Sequence, residues 1–169
     1  YTGTGSSTVA TNSVIAGSVF TLTESGVASK ITAFVEALLG GESGKCGIYK
    51  HSDLSFIAGT NVFSLPVTAA WTDFTFAAPP TLPADDYVLA QWSGTGTSSK
   101  IYYATGDADQ GHSDAAAYGT WPSTLDPTHS TNKCRIYCTY TAATGQPTGR
   151  RFGAVKDANQ YKRRGVRCF

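Results

Sequence analysis

The side chains in this chain best suited to covalent chemistry are its four cysteines, Cys46, Cys134, Cys138 and Cys168. An even number of cysteines favours disulfides in a chain expected to be exported, and four cysteines allow three pairings. The first three each share a strand face with an isoleucine, so side-chain alternation predicts that their sulfurs point into the core. We expect a buried Cys46–Cys138 bond between two strands. Cys134–Cys168 would then tie down the tail, either within one chain or between two subunits. Zinc is the competing use, although no Cys/His partners cluster at ligand spacing.

A second candidate site is the loop at residues 107–114, where three carboxylates and a glycine occur within eight residues. Asp107, Asp109 and Asp114 could wrap a hard cation such as calcium, which takes six to eight oxygen ligands. The loop lacks the distal Glu of an EF-hand. The alternative is a solvated polar loop in which Asp serves as a turn residue, and the sequence favours that alternative.

Aromatic residues beside the same loop suggest a third kind of site. Tyr103, Tyr118 and Trp121 could stack on sugar rings, with nearby Asp and Gln side chains binding the hydroxyls. The alternative is that these rings anchor a long irregular loop to the body, because a loop of that length needs such contacts.

No set of residues predicts catalysis. The histidines His51, His112 and His129 each have turn-like sequence surroundings, and no nucleophile elbow, HExxH or phosphate-binding loop is present. Asp85 and Asp86 are adjacent and would face opposite sides of a strand. The sequence therefore predicts no catalytic residues and a non-enzymatic protein.

The positive charge is concentrated at the end of the chain. Residues 142–169 carry seven Lys/Arg and one Asp, whereas residues 1–141 carry six Lys/Arg and eleven Asp/Glu. A basic tail on an acidic body can bind a neighbouring body. Arginines and aromatic residues alternate along it, and the residues expected to mediate assembly are Arg150, Arg151, Phe152, Tyr161, Arg163, Arg164, Arg167 and Phe169.

Three other readings of the tail stay open. Basic arms of shell proteins bind nucleic acid, basic clusters bind anionic lipid or wall polymers, and the tail could fold back on its own body. The interspersed apolar residues favour docking into a protein groove or strand addition at a sheet edge over a purely electrostatic arm.

Composition places the chain among exported proteins with a β-rich surface. Charged residues make up only 15% of its 169 residues, and Met is absent. We expect Tyr1 to have been exposed by processing, with removal of an export signal as the favoured route, which predicts an extracellular or cell-surface location. No apolar run of 18 residues occurs, so no membrane span is predicted.

The elements that must position these residues are short β-branched and aromatic runs separated by Gly, Pro, Ser and Asp. About eight strands are predicted, at Val14–Leu22, Ala28–Leu39, Cys46–Lys50, Phe56–Ile57 with Val62–Leu65, Trp71–Phe76, Tyr87–Trp92, Ile101–Ala104 and Cys134–Tyr140. Residues 105–132 show no periodicity and are predicted to form a loop. An all-β antiparallel sandwich of jelly-roll type follows. It would span residues 13–141, between an extended segment at residues 1–12 and a basic tail at residues 142–169.

Seven segments of this body carry a family resemblance: Gly17–Gly26, Ile31–Phe34, Lys45–Lys50, Trp71–Phe76, Leu82–Ala90, Ile101–Tyr103 and Cys134–Tyr140. Together they resemble prokaryotic extracellular jelly-roll modules, which are similar to carbohydrate-binding modules and occur in exported surface proteins. Usual versions have a Gly where Asp85-Asp86 stands, so this turn is expected to differ. The resemblance implies a non-enzymatic surface module and does not extend to the tail.

These observations predict a structural subunit of an extracellular filament, sheath or shell, in which copies of the chain interlock through their termini and no cofactor is required. One alternative is a carbohydrate-binding or adhesive module whose partner is a surface glycan. Another is a virion structural protein whose basic tail binds nucleic acid.

Overall fold

The computed structural model describes residues 7–94, 98–143 and 150–153, and these residues form an all-β structure of fifteen strands. In chain order the strands are β1 (Ser7–Ala10), β2 (Val14–Leu22), β3 (Gly26–Ala37), β4 (Ser43–Lys50), β5 (Phe56–Gly59), β6 (Phe63–Ser64), β7 (Ala70–Thr75), β8 (Thr81–Leu82), β9 (Asp85–Ser93), β10 (Ser99–Thr105), β11 (Gly111–Ala115), β12 (Thr128–Ser130), β13 (Asn132–Cys134), β14 (Ile136–Ala142) and β15 (Arg150–Gly153). Over these ranges no helix has the length and hydrophobicity needed to cross a membrane.

The strands pair antiparallel in two sheets. Sheet 1 runs β1-β10-β3-β14-β15, with β13 on β10 and with β7 and β8 on β3. Sheet 2 runs β12-β11-β2-β9-β4-β5, with β6 on β4. The sheets pack against each other as a β-sandwich, which confirms the predicted fold class, while the jelly-roll connectivity stays a prediction.

The core between the sheets is built by alternate residues of the facing strands. Ile31, Ala33 and Val35 of β3 face Ile48 of β4 and Leu89 of β9 in one continuous apolar cluster, and all five side chains are fully buried. The alternation predicted for β3 is therefore confirmed. In sheet 2, β9 lies between β2 and β4.

A second apolar cluster covers the outer face of sheet 2. Val88, Ala90 and Trp92 alternate with the inward residues of β9 and are equally buried, together with Tyr49 of β4 and Leu125 from the long loop. The loop therefore forms a partial third layer, which explains why β9 reads as a nearly continuous apolar run.

Two sequence-based expectations about local structure are wrong. Residues 105–132 are not one loop, because they contain β11 and β12, and β11 pairs with β2 along its whole length. The sequence Gly-His-Ser-Asp-Ala of β11 lacks β-branched residues, so its strand conformation depends on the neighbouring β2. The predicted last strand is also interrupted at Arg135, which separates β13 on β10 from β14 on β3.

Candidate functional site

The tail edge, defined as the free side of β14 together with β15, is where part of the tail meets the body. β15 pairs antiparallel with β14, with Tyr140 opposite Arg150 and Tyr137 opposite Gly153. Phe152 is only 6% exposed and joins the core between the sheets. Its ring lies 6.2 Å from the Tyr87 ring and 6.0 Å from the Tyr140 ring, measured between centroids. The edge of sheet 1 thus holds an aromatic socket that accepts one strand.

Polar contacts complement this socket. The Arg150 guanidinium forms an ion pair with the carboxylate of Glu24, and the Tyr140 hydroxyl donates to the same carboxylate at 3.0 Å. Burial, followed by the neighbouring Glu24, raises the pKa of Tyr140, so the hydroxyl stays a donor at neutral pH. Arg151 points to the other face, with its guanidinium carbon 4.8 Å from the Tyr137 ring centre. The site therefore recognises Arg-Arg-Phe through two cation contacts and one buried ring.

Backbone geometry also restricts which residue type can stand at the end of β15. Gly153 has a φ of 118°. A Cβ at that position would lie 2.6 Å from the Tyr137 Cα and 2.9 Å from its Cβ. Only glycine satisfies both conditions, so the segment Arg150–Gly153 is matched to the socket.

The remaining predicted assembly residues, Tyr161, Arg163, Arg164, Arg167 and Phe169, lie outside the described residues, as does Cys168. At the opposite terminus, β1 pairs with β10, and Val9 packs against the core. Both β1 and β15 are therefore edge strands of sheet 1, and each derives from a terminal segment of the chain.

The predicted sugar-stacking aromatics are not on one surface. Tyr118 and Trp121 lie over the outer face of sheet 2, whereas Tyr103 packs against the core between the sheets. Trp121 stacks on Phe56, with ring centroids 5.7 Å apart and an interplanar angle of 20°. These contacts support the alternative reading, in which Tyr118 and Trp121 anchor the loop.

A lysine occupies the remaining faces of these rings. Lys45 Nζ lies 4.5 Å from the Trp92 ring centre, 4.8 Å from that of Tyr118 and 4.9 Å from that of Trp121. It also donates to the Gly119 carbonyl. Burial lowers the pKa of Lys45, and the side chain is 7% exposed. The chain's own ammonium group therefore fills the aromatic cage where a ligand would stack.

Sheet 1 carries a different aromatic row on its outer face. Phe34 lies 5.4 Å from Trp71 and 5.0 Å from Tyr102, and Trp71 lies 5.5 Å from Tyr137, measured between ring centroids. Arg135 sits over Phe34 at 5.7 Å. The pairing of β3 with β7 puts Phe34 and Trp71 opposite each other.

The described cysteines, Cys46, Cys134 and Cys138, are free thiols in this structure, and all three are buried in the core as predicted. Cys46 on sheet 2 and Cys138 on sheet 1 interact electrostatically: burial, followed by a charge on Cys138, raises the pKa of Cys46. Burial also raises the pKa of Cys134, to about 11. The Cys46–Cys138 bond stays a prediction, which the placement of the two thiols in the same cluster supports. Cys134–Cys168 falls partly outside the described residues.

The carboxylates suggested for calcium are separated by the fold. Asp107 and Asp109 lie in the exposed turn before β11, whereas Asp114 lies within β11 and accepts a hydrogen bond from the Asp126 amide. In the described part of the chain, no three His, Cys, Asp or Glu side chains are grouped closely enough to hold a metal ion as they stand. Calcium at these three residues therefore gains no support from the geometry.

The three histidines lie close together, and no pattern in the sequence predicts this. His112 and His129 have ring centroids 4.6 Å apart, and His51 and His112 have centroids 5.7 Å apart. The three residues come from the β4–β5 turn, β11 and β12, and their spacing of 61 and 17 residues along the chain follows no metal-ligand motif.

No protein-family model matches the chain, and no curated protein shows significant similarity to it.

Proposed function

We propose that this chain is a non-catalytic structural subunit that assembles with copies of itself outside the cell, through its terminal segments. The observation that carries the proposal is the tail edge, where a strand from the C-terminal segment fills an aromatic socket on the body. A strand held by its pairing, one buried ring and two arginine contacts can make the same contacts whether it comes from the same chain or from a neighbour.

Within one chain, the socket joins residues of opposite charge from the body and the tail, and exchange between subunits would use the same contacts. Glu24 belongs to the acidic body and Arg150 to the basic tail, so their ion pair joins the two oppositely charged parts of the sequence. The segment before β15 contains Gly145, Pro147 and Gly149. Glycine and proline are residue types typical of linkers.

The location outside the cell rests on composition. The charged fraction is low, and the four cysteines suit an oxidising compartment, where the predicted disulfides would form. A filament, a sheath and a closed shell are all compatible with strand exchange, because a head-to-tail contact produces either rings or open polymers.

The decisive experiment compares full-length protein with a variant lacking residues 146–169 by sedimentation velocity under non-reducing conditions. We expect the full-length protein to sediment as a large species and the truncated protein as a folded monomer, since the socket is then empty in every copy. Assembly by the truncated protein would contradict the proposal, as would a monomeric full-length protein.

Two point variants in the full-length chain sharpen this test. Phe152→Asp places a charge in the aromatic socket and should abolish assembly. Leu39→Ser, at a position 76% exposed in the turn after β3, is the matched control and should assemble normally. Co-purification of nucleic acid with the assembled protein would favour the virion alternative over a secreted polymer.

Carbohydrate binding remains the second candidate function, now for a different surface. The row Phe34, Trp71 and Tyr102 on the outer face of sheet 1 supplies partly exposed rings with the polar neighbours Glu36 and Asp73, which suits sugar stacking. Binding to a glycan array that disappears in Trp71→Ala, with the fold intact, would support it. If glycan binding were lost in Trp121→Ala and kept in Trp71→Ala, the binding surface would instead be the one predicted from the sequence, which contains Trp121.

A further inference from the structure

Every histidine of the 169-residue chain lies in one cluster. The sequence contains three histidines, and the fold brings all three together, with His112 in the middle. His112 and His129 are direct cross-strand partners in β11 and β12, and His51 reaches them from the turn after β4.

His112 is poorly satisfied where it lies. Its side chain is 4% exposed, and neither ring nitrogen makes a hydrogen bond of normal geometry, although the carbonyl of Gln110 lies near the ring. A buried polar group without partners costs free energy unless another ligand satisfies it. An aromatic or aliphatic residue would fill the same space without this cost.

We propose that His51, His112 and His129 form a binding site for a divalent transition metal ion of the zinc, nickel or copper type. Imidazole nitrogens are the ligands these ions prefer in proteins. Two imidazoles bound to one tetrahedral ion, with metal–nitrogen distances of about 2.0–2.1 Å, have ring centres roughly 5 Å apart. The observed centroid distances of 4.6 Å and 5.7 Å bracket that value.

The outer two ligands are placed to complete the site by side-chain rotation. Among the described residues no group of three His, Cys, Asp or Glu side chains can hold a metal ion as it stands, so the site requires these side chains to rotate. His129 is exposed on the edge strand β12, and His51 is partly exposed in a turn, so both can change rotamer without disturbing the core. Water would occupy the remaining coordination positions.

The three ligands lie on different parts of sheet 2, namely β11, β12 and the turn after β4. The bound ion would join β4, β11 and β12, and would thereby hold the β12 edge of sheet 2 to its centre.

The test uses untagged full-length protein and zinc chloride as the probe. We expect one zinc ion per chain by isothermal titration calorimetry, and a melting temperature that rises with zinc concentration, because the ion binds the folded state. In protein with 15N-labelled histidine, the ring-nitrogen resonances of all three histidines should shift together. His129→Asn and His51→Asn should each lower zinc affinity at least tenfold.

Asp73→Asn is the matched control, because it removes an exposed carboxylate on the opposite sheet and should leave zinc affinity unchanged. Zinc affinity that is the same in His129→Asn as in the unmodified protein would overturn the proposal and direct attention to the cysteines. Histidine resonances that do not respond to zinc would overturn it equally. Both variants replace exposed or partly exposed residues, so loss of binding would not reflect unfolding, and circular dichroism checks this. The result is independent of whether the chain assembles.

Discussion

Two residues, Lys45 and His112, are buried in surroundings that their neighbours in the sequence do not predict. Lys45 is a strand residue with a cationic side chain, and its strand neighbours give no sign that three rings surround its ammonium group. His112 is buried between two other histidine rings, without hydrogen bonds of normal geometry. Elements distant in sequence surround both residues, and in both cases burial lowers the pKa, which favours the neutral form.

The buried His112 predicts a particular loss of stability at acid pH. Its folded pKa, about 4, lies below the unfolded value of 6.5, so the unfolded chain binds more protons between these values. Its contribution is therefore complete above pH 6.5 and decreases as the pH falls toward 4, by up to about 3 kcal/mol. Urea unfolding of metal-free protein at pH 7.5, 6 and 5 measures this slope. The slope should be smaller in His112→Phe and nearly retained in His51→Asn. An equal slope in His112→Phe would show that another group is responsible.

At the scale of elements, the loop between β11 and β12 is held to sheet 2 by close fit. Trp121 lies directly over two glycines, Gly47 in β4 and Gly59 in β5, whose missing side chains leave room for the indole ring. Lys45 and the stacked ring of Phe56 complete the contact. The sequence does not explain why glycine stands at these two strand positions, because the tryptophan that needs the space lies more than sixty residues away.

We expect Gly59→Ala to displace Trp121. A Cβ at position 59 would lie 2.8 Å from the Trp121 Cδ1 atom, which is closer than carbon atoms approach. The loop should loosen, with a loss of about 1–3 kcal/mol in unfolding free energy and faster quenching of tryptophan fluorescence by acrylamide.

Gly119→Ala is the control for this change. A Cβ at position 119 would have its nearest neighbour at 3.8 Å, an ordinary contact, so stability and quenching should stay close to those of the unmodified protein. Equal behaviour of the two variants would show that Trp121 is not tightly packed over β5.

At the scale of the whole molecule, the two sheets are joined by packing, and each sheet contributes a cysteine to the shared core. Cys46 belongs to β4 of sheet 2 and Cys138 to β14 of sheet 1, and both are fully buried in the shared core. Burial, followed by the Cys138 thiolate, raises the pKa of the Cys46 thiol.

We predict that Cys46 and Cys138 form a disulfide when the protein folds under oxidising conditions. The bond would close a loop of about 90 residues, and the chain-entropy model gives a stabilisation of about 4–5 kcal/mol. Non-reducing peptide mapping should find the Cys46–Cys138 pair, and reduction should lower the urea midpoint. Cys46→Ala should remove this redox dependence and Cys134→Ala should not. Mapping that pairs either cysteine with a different partner would contradict the prediction.

Much of the architecture could be predicted from the sequence because strand periodicity is a local property. β2 runs from Val14 to Leu22 as predicted, and the inward residues of β3 and β7 follow from the alternation of apolar and polar side chains. The pattern could not reveal β11 or β15, whose sequences, Gly-His-Ser-Asp-Ala and Arg-Arg-Phe-Gly, become strands because a neighbouring edge supplies hydrogen bonds and a socket.

The sequence by itself thus determined the fold class, the inward placement of three cysteines and the separation of a basic tail from an acidic body. The tertiary structure alone decided which side chains meet: Phe152 with Tyr87, Lys45 with three aromatic rings, and the three histidines with one another. The physical reason is that residue alternation depends on adjacent positions, whereas strand order depends on the free energy of the whole sandwich. Contacts between distant strands are fixed only when that order is established.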